Sequence, residues 1–228
     1  TSFSQLKEFI ITGKSELGRV HALWTLEGLN ALDEDLLIKL IADESDLIFC
    51  NALRLLETFC ARQKQTNEFV SKLLQEESRN ANSTRTLQIA LSLFTLEDKS
   101  KIQIAENVLN RFVQVPLIRD AVLSSLCDKE ASLLMNLFQS IAWKSKDPNK
   151  EICIESIAGA VFNKGNSNEI ERIIKSRGTD SSNWFMQSIL TGFNVAHNSS
   201  GKIIKLHFNP GKDLAPALEN MFEWPGHK

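Results

Sequence analysis

The feature that most constrains this chain is an apolar pattern of helical period that recurs in paired segments, five times between residues 15 and 174. Its first and clearest copy is Arg19-Val20-His21-Ala22-Leu23-Trp24-Thr25-Leu26-Glu27-Gly28-Leu29, where Leu17, Val20, Leu23, Trp24, Leu26 and Leu29 favour one side of a helix. Asp33 supplies an N-cap signal for a partner helix carrying Leu36, Leu37, Leu40 and Ile41. The second pair opens at Asp46 and continues through Phe69, Val70, Leu73 and Leu74. The third opens at Asn82 or Ser83, with its partner starting at Asp98 or Ser100. Pro116 and Pro148 open the fourth and fifth, and Pro suits a first helical turn because the N–H it lacks has no intrahelical partner there. Aligning the small residue of each first helix gives Ala22, Ala52, Ala90, Ala121 and Cys153, spaced 30, 38, 31 and 32 residues apart. A period in that range predicts stacked helical units, because one helix pair cannot bury its apolar face alone.

The predicted fold is therefore all-α, a right-handed α-α superhelix of HEAT or armadillo type with about five helix pairs and a C-terminal cap. A tetratricopeptide pattern lacks its Trp, Gly, Tyr and Pro positions, and the chain has no Tyr. The ankyrin Thr-Pro-Leu-His signature is missing too. Residues 1–178 form the repeats, beginning with a short amphipathic piece that stops at Gly13, and Gly28 is expected to let a neighbouring backbone approach. Residues 179–228 form a cap of the same domain: a helix opening at Ser181 or Ser182, a turn at 198–201, an extended segment over 202–208 and a short helix over 214–222. All five prolines fall at helix starts or in loops.

Composition narrows the function. Hydrophobic residues at 43% and charged residues at 24% fit a folded body rather than a disordered one. A net charge of -2, with both signs interspersed, disfavours a nucleic-acid groove. No apolar run reaches the ~20 residues of a membrane-spanning helix. The first residues read as neither a signal peptide nor a natural start, which suggests a segment of a larger protein.

Cys50, Cys60, Cys127 and Cys153 match no metal, redox or haem-attachment spacing and are expected to act as small core hydrophobes. Glu76, Glu77, Glu169 and Glu171 are expected on solvated faces, and residues 163–168 read as a connector rather than a phosphate loop. His197, His207 and His227 suit surface or capping roles, although His197 and His207 could meet across the turn at Gly201. No catalytic, cofactor or metal residue is assigned. The candidate contact stripe is His21, Trp24 and Glu27, set three residues apart on one helix side.

The stretch from His21 to Leu29 resembles the first HEAT-like repeat of large bacterial haem-binding proteins of the membrane-bound dehydrogenase-like family. Trp224-Pro225-Gly226-His227-Lys228 resembles the linker that can precede their cytochrome part. Those proteins join a sugar-dehydrogenase-like β-propeller, a HEAT-like segment and a c-type cytochrome bearing CxxCH. This chain has no CxxCH and no propeller repeats. The resemblance therefore implies a non-catalytic connector whose partners are a dehydrogenase-like propeller and a cytochrome c of the same parent. By the same resemblance, haem c belongs to the parent and the location is periplasmic or exported. The alternative is a module that binds a separate protein on its concave face.

Overall fold

The computed structural model describes residues 2–63, 68–176 and 183–226, with the backbone alone for 60–63 and 69. Among the described residues thirteen α-helices account for nearly all the regular structure, so the chain is all-α. They are α1 (Ser2–Thr12), α2 (Glu16–Gly28), α3 (Glu34–Ile41), α4 (Asp46–Gln63), α5 (Glu68–Asn80), α6 (Ser83–Ser92), α7 (Asp98–Phe112), α8 (Pro116–Ser125), α9 (Glu130–Gln139), α10 (Pro148–Lys164), α11 (Ser167–Ser176), α12 (Trp184–Ser200) and α13 (Ala215–Leu218). Ten of them, α2 to α11, follow one another along the chain between residues 16 and 176. The chain divides into two compact units, 1–108 and 109–228, with the division inside α7.

Helix starts follow side-chain chemistry. Ser15, Asp33, Asn82, Asp147 and Asn183 each accept a hydrogen bond from a backbone N–H of the first turn they cap. Pro116 and Pro148 are the first residues of α8 and α10. Asn183, rather than Ser181 or Ser182, caps α12; those two serines and Gly178 lie outside the described residues.

In the first unit, α2, α4 and α6 are successive neighbours and α3 lies against α4. Leu23, Leu26, Leu37, Ile41, Ile48, Phe49, Ala52, Ile89 and Ala90 fill the core between them. Each large apolar side chain buried this way stabilises the fold by about 1.5–3 kcal/mol. The expected apolar side of α2 is only partly realised: Leu17 is 60% exposed and Leu29 also faces solvent, while Ala22, Leu23 and Leu26 turn inward. Gly28 does not serve a close helix approach, since a Cβ there would meet nothing within 4 Å. It simply ends the helix.

In the second unit, α9 packs on α10 and α11, and α10 lies along α12. Ile157, Val161, Phe162, Ile173, Phe185, Ile189 and Phe193 form the core. The rings of Phe162, Phe193 and Phe222 meet at 5.5–5.8 Å between centroids, which fixes the C-terminal segment onto the α10–α12 pair. That segment departs from expectation. Asn198, Ser199 and Ser200 complete the last turn of α12 instead of forming a loop, and Gly201 caps the helix in the left-handed conformation. Only Ile204–Lys205 (β1) is a strand, and it pairs in parallel with Phe222–Glu223 (β2), where a helix was expected. Ile141 lies in a 3-10 turn, 80% exposed, while Trp143 two residues on is buried and donates from Nε1 to Asn110 Oδ1 at 2.6 Å.

One device recurs. A basic residue stands in the first turn of α2, α6, α8 and α10, where the helix dipole disfavours positive charge. Arg19, Arg119 and Lys150 take backbone oxygens of the segment just before their helix, and Arg85 takes those of the turn before α4. Arg19 Nε donates to the Ile10 carbonyl at 2.5 Å, and Arg119 donates to Val113 at 2.7 Å. Arg85 donates to the carbonyls of Asp43 and Glu44 at 2.7 and 2.8 Å, and Lys150 to Ala142 at 2.6 Å. The side chains thus satisfy carbonyls that the ends of helices and turns leave unpaired. Arg19 also pairs with Asp43, both partners being largely buried.

Candidate functional site

α2 presents His21 and Trp24 to solvent, with Glu27 half-buried beside them. Trp24, expected more often in a core, is 40% exposed, because Ala22, Leu23 and Leu26 take the inward positions of this helix. Its indole Nε1 donates to Asn51 Oδ1 at 2.8 Å, and Asn51 Nδ2 donates to the Leu47 carbonyl at 2.8 Å. The ring is thereby pinned across α2 and α4, with Leu17 and Leu47 exposed on the same two helices. Glu27 joins Asn30, Leu32, Leu55, Thr58 and Phe59 around a small cavity of about 160 Å³. The stripe is thus a surface with one fixed aromatic ring, and Asn51 is the residue that sequence reasoning missed. Its signal was faint: a lone polar position one residue before the small Ala52.

Two of the tail histidines are tied into structure. His197 Nδ1 lies 2.9 Å from the Lys202 carbonyl, with its ring edge-on to Phe162. His207 Nδ1 lies 3.0 Å from Glu171 Oε1, so each ring has its own partner. His227 lies outside the described residues. Among the described residues, no group of three His, Cys, Asp or Glu is placed to hold a metal ion. Glu171 corrects the expectation of a solvated face. It is 7% exposed, accepts from Lys175 Nζ at 2.8 Å and from the His207 backbone N–H at 2.6 Å, and so ties α11 to the tail. Burial alone would raise its carboxyl, but these hydrogen bonds together hold it below the ordinary range. Glu77 reaches toward Arg85 at 3.8 Å, while Glu76 is exposed.

Glu57 is a half-buried acid. Burial pushes its carboxyl up, opposed by hydrogen bonds from Ser92 and from Gln88 at 3.0 Å. The cysteines divide. Cys153 is fully buried, its thiol pushed up to about 12 by burial, whereas Cys50 is half-buried. Cys127 departs from the expected core role: it is exposed, at φ 47° just past α8. The Cys60 side chain lies outside the described residues. Of residues 163–168 only Gly165 and Asn166 connect the helices, with Gly165 as a left-handed cap; 163–164 end α10 and 167–168 begin α11.

Comparison with known protein families, curated proteins and solved structures returns no match for this chain.

Proposed function

We propose that this chain is a non-catalytic helical scaffold, a right-handed α-α superhelix of HEAT type that positions a dehydrogenase-like domain relative to a c-type cytochrome in a larger exported oxidoreductase. The observation that supports the scaffold part is the succession of ten helices, α2 to α11, four of which hold a basic first-turn residue on a backbone carbonyl. The oxidoreductase context comes from the likeness of the segment His21 to Leu29 and of Trp224-Pro225-Gly226 to that family, and the haem c it implies would be held by the parent. Separately expressed flanking domains should be retained on immobilised chain. Retention of neither would count against the reading, and so would robust oxidation of sugar alcohols by the purified chain with an artificial electron acceptor.

One observation favours a second reading, a module for a separate protein partner. Trp24 is an exposed aromatic ring held in place by Asn51, and such preorganised aromatic groups are typical anchors of interfaces. A protein recovered from the native host by the chain, and lost with Trp24→Ala, would support it. Recovery unchanged by Trp24→Ala would count against the stripe.

A further inference from the structure

α10 and α12 run close enough that a Cβ on Gly192 would lie 2.3 Å from the Glu155 carbonyl oxygen. No large side chain fits between them at that crossing. Beside it opens a groove of about 420 Å³, lined along α10 by Glu155, Ser156, Gly159, Ala160 and Asn163 and along α12 by Gly192, Val195, Ala196 and Ser199. Its floor is small and apolar. The span from Glu155 to Asn163 is about 12 Å at the helical rise of ~1.5 Å per residue.

The polar groups on its walls have one character. Ser156 spends its hydroxyl proton on the Ile152 carbonyl at 2.8 Å, and Ser199 spends its own on Ala196 at 3.0 Å. Both therefore offer lone pairs to an occupant. Glu155 is the one ionisable residue among those lining the groove; burial and then the neighbouring Glu151 raise its carboxyl, while Glu151 itself is paired with Lys146 at 3.0 Å. α12 carries no Asp, Glu, Lys or Arg from Trp184 to Ser200. At the far end, Lys202 Nζ already donates to the Asn163 carbonyl at 2.7 Å, so this chain places an alkylammonium there itself. A negative charge, acceptor oxygens and an apolar floor match an ammonium on an aliphatic stem.

We propose that the groove between α10 and α12 receives a lysine side chain from a segment of a partner protein, its stem on Gly159, Ala160 and Ala196 and its ammonium at Glu155. This extends the second reading above by naming the partner's chemistry at a surface other than Trp24. The test is titration of the isotopically labelled full chain with the peptide acetyl-Ala-Ala-Lys-Ala-Ala-amide, its norleucine counterpart and 1,4-diaminobutane. The lysine peptide should shift the amides of Gly159, Gly192 and Ser199, and the norleucine peptide should leave them in place. Glu155→Gln should weaken binding about fivefold, as expected for a part-exposed ion pair, and Ser199→Leu should abolish it by filling the groove. Equal response to the two peptides, or unchanged binding by Glu155→Gln, would overturn the proposal. A response to the diamine without one to the lysine peptide would also overturn it, by assigning the groove to a free amine. Host-partner recovery with Trp24→Ala, run in parallel, reports on the Trp24 surface independently of these outcomes.

Discussion

Replacing Arg85 with Met should cost the first unit about 2–4 kcal/mol. The side chain is only 12% exposed and connects the start of α6 to the start of α4. Its Nε donates to Asp46 Oδ1 at 2.5 Å, its Nη2 donates to the carbonyls of both Asp43 and Glu44, and its guanidinium lies 4.6 Å from the centre of the Phe49 ring. Hydrogen bonds with a charged partner contribute about 1.5–3 kcal/mol each, and a cation over an aromatic ring about 0.5–2. The full sum overshoots. Asp46 is 38% exposed and rehydrates when the guanidinium is removed. Breaking a fully buried pair costs about 3–5 kcal/mol and an exposed one less than about 1, so this site falls between. Arg85→Lys keeps the charge but loses the fork, and should cost about half as much. Acid supplies an internal control. The hydrogen bond from Arg85, followed by that from Asn82, holds the Asp46 carboxyl below its ordinary 3.8. A carboxyl lowered on folding adds stability that is present above its unfolded value and lost as pH falls through the folded one. The Arg85→Met penalty should therefore be largest near neutrality and shrink below pH ~4. Urea unfolding followed by far-UV circular dichroism, with hydrogen exchange in α4 and α6 to assign the affected unit, measures it. A loss below about 0.5 kcal/mol at neutral pH, typical of an ordinary surface change, would refute the reasoning.

Other positions follow from the same packing. Trp143→Ala removes a buried ring and leaves Asn110 Oδ1 without its donor, so equilibrium unfolding should show a loss of about 3–5 kcal/mol in the second unit. Gly192→Ala forces α10 and α12 apart at the Glu155 carbonyl and should cost about 1–3 kcal/mol, read as a lower melting temperature. Glu171, lowered on folding from 4.5, contributes stability above that value that is lost in acid; amide protection at Leu206 and His207 should fall below about pH 4.5, and Glu171→Gln should reproduce the fall at neutral pH. A disulfide reagent should label Cys127 rapidly and leave Cys153 untouched until the chain unfolds.

Helix content and most helix starts were written locally. Asp33, Asn82, Pro116 and Pro148 mark their helices by short-range chemistry, which needs no knowledge of neighbours. Positions decided by tertiary partners were harder to read. Glu171 looks like a surface acid until Lys175 and the tail are placed around it, and Cys127 looks apolar until the chain is seen to turn there. Strand β2 is two residues long, with no room for an alternating pattern, and it exists only because β1 lies beside it. The basic first-turn residues were legible in hindsight: Arg19, Arg85, Arg119 and Lys150 each occupy a place the helix dipole disfavours, which points to a tertiary partner. For the stripe, the shared side of His21 and Trp24 was readable, whereas the pinning by Asn51 belongs to the α2–α4 contact.

The scaffold account stands or falls most directly on the gene that encodes this chain. Sequencing it through both flanks should reveal β-propeller repeats upstream and a CxxCH motif downstream. A reading frame with neither would contradict the account.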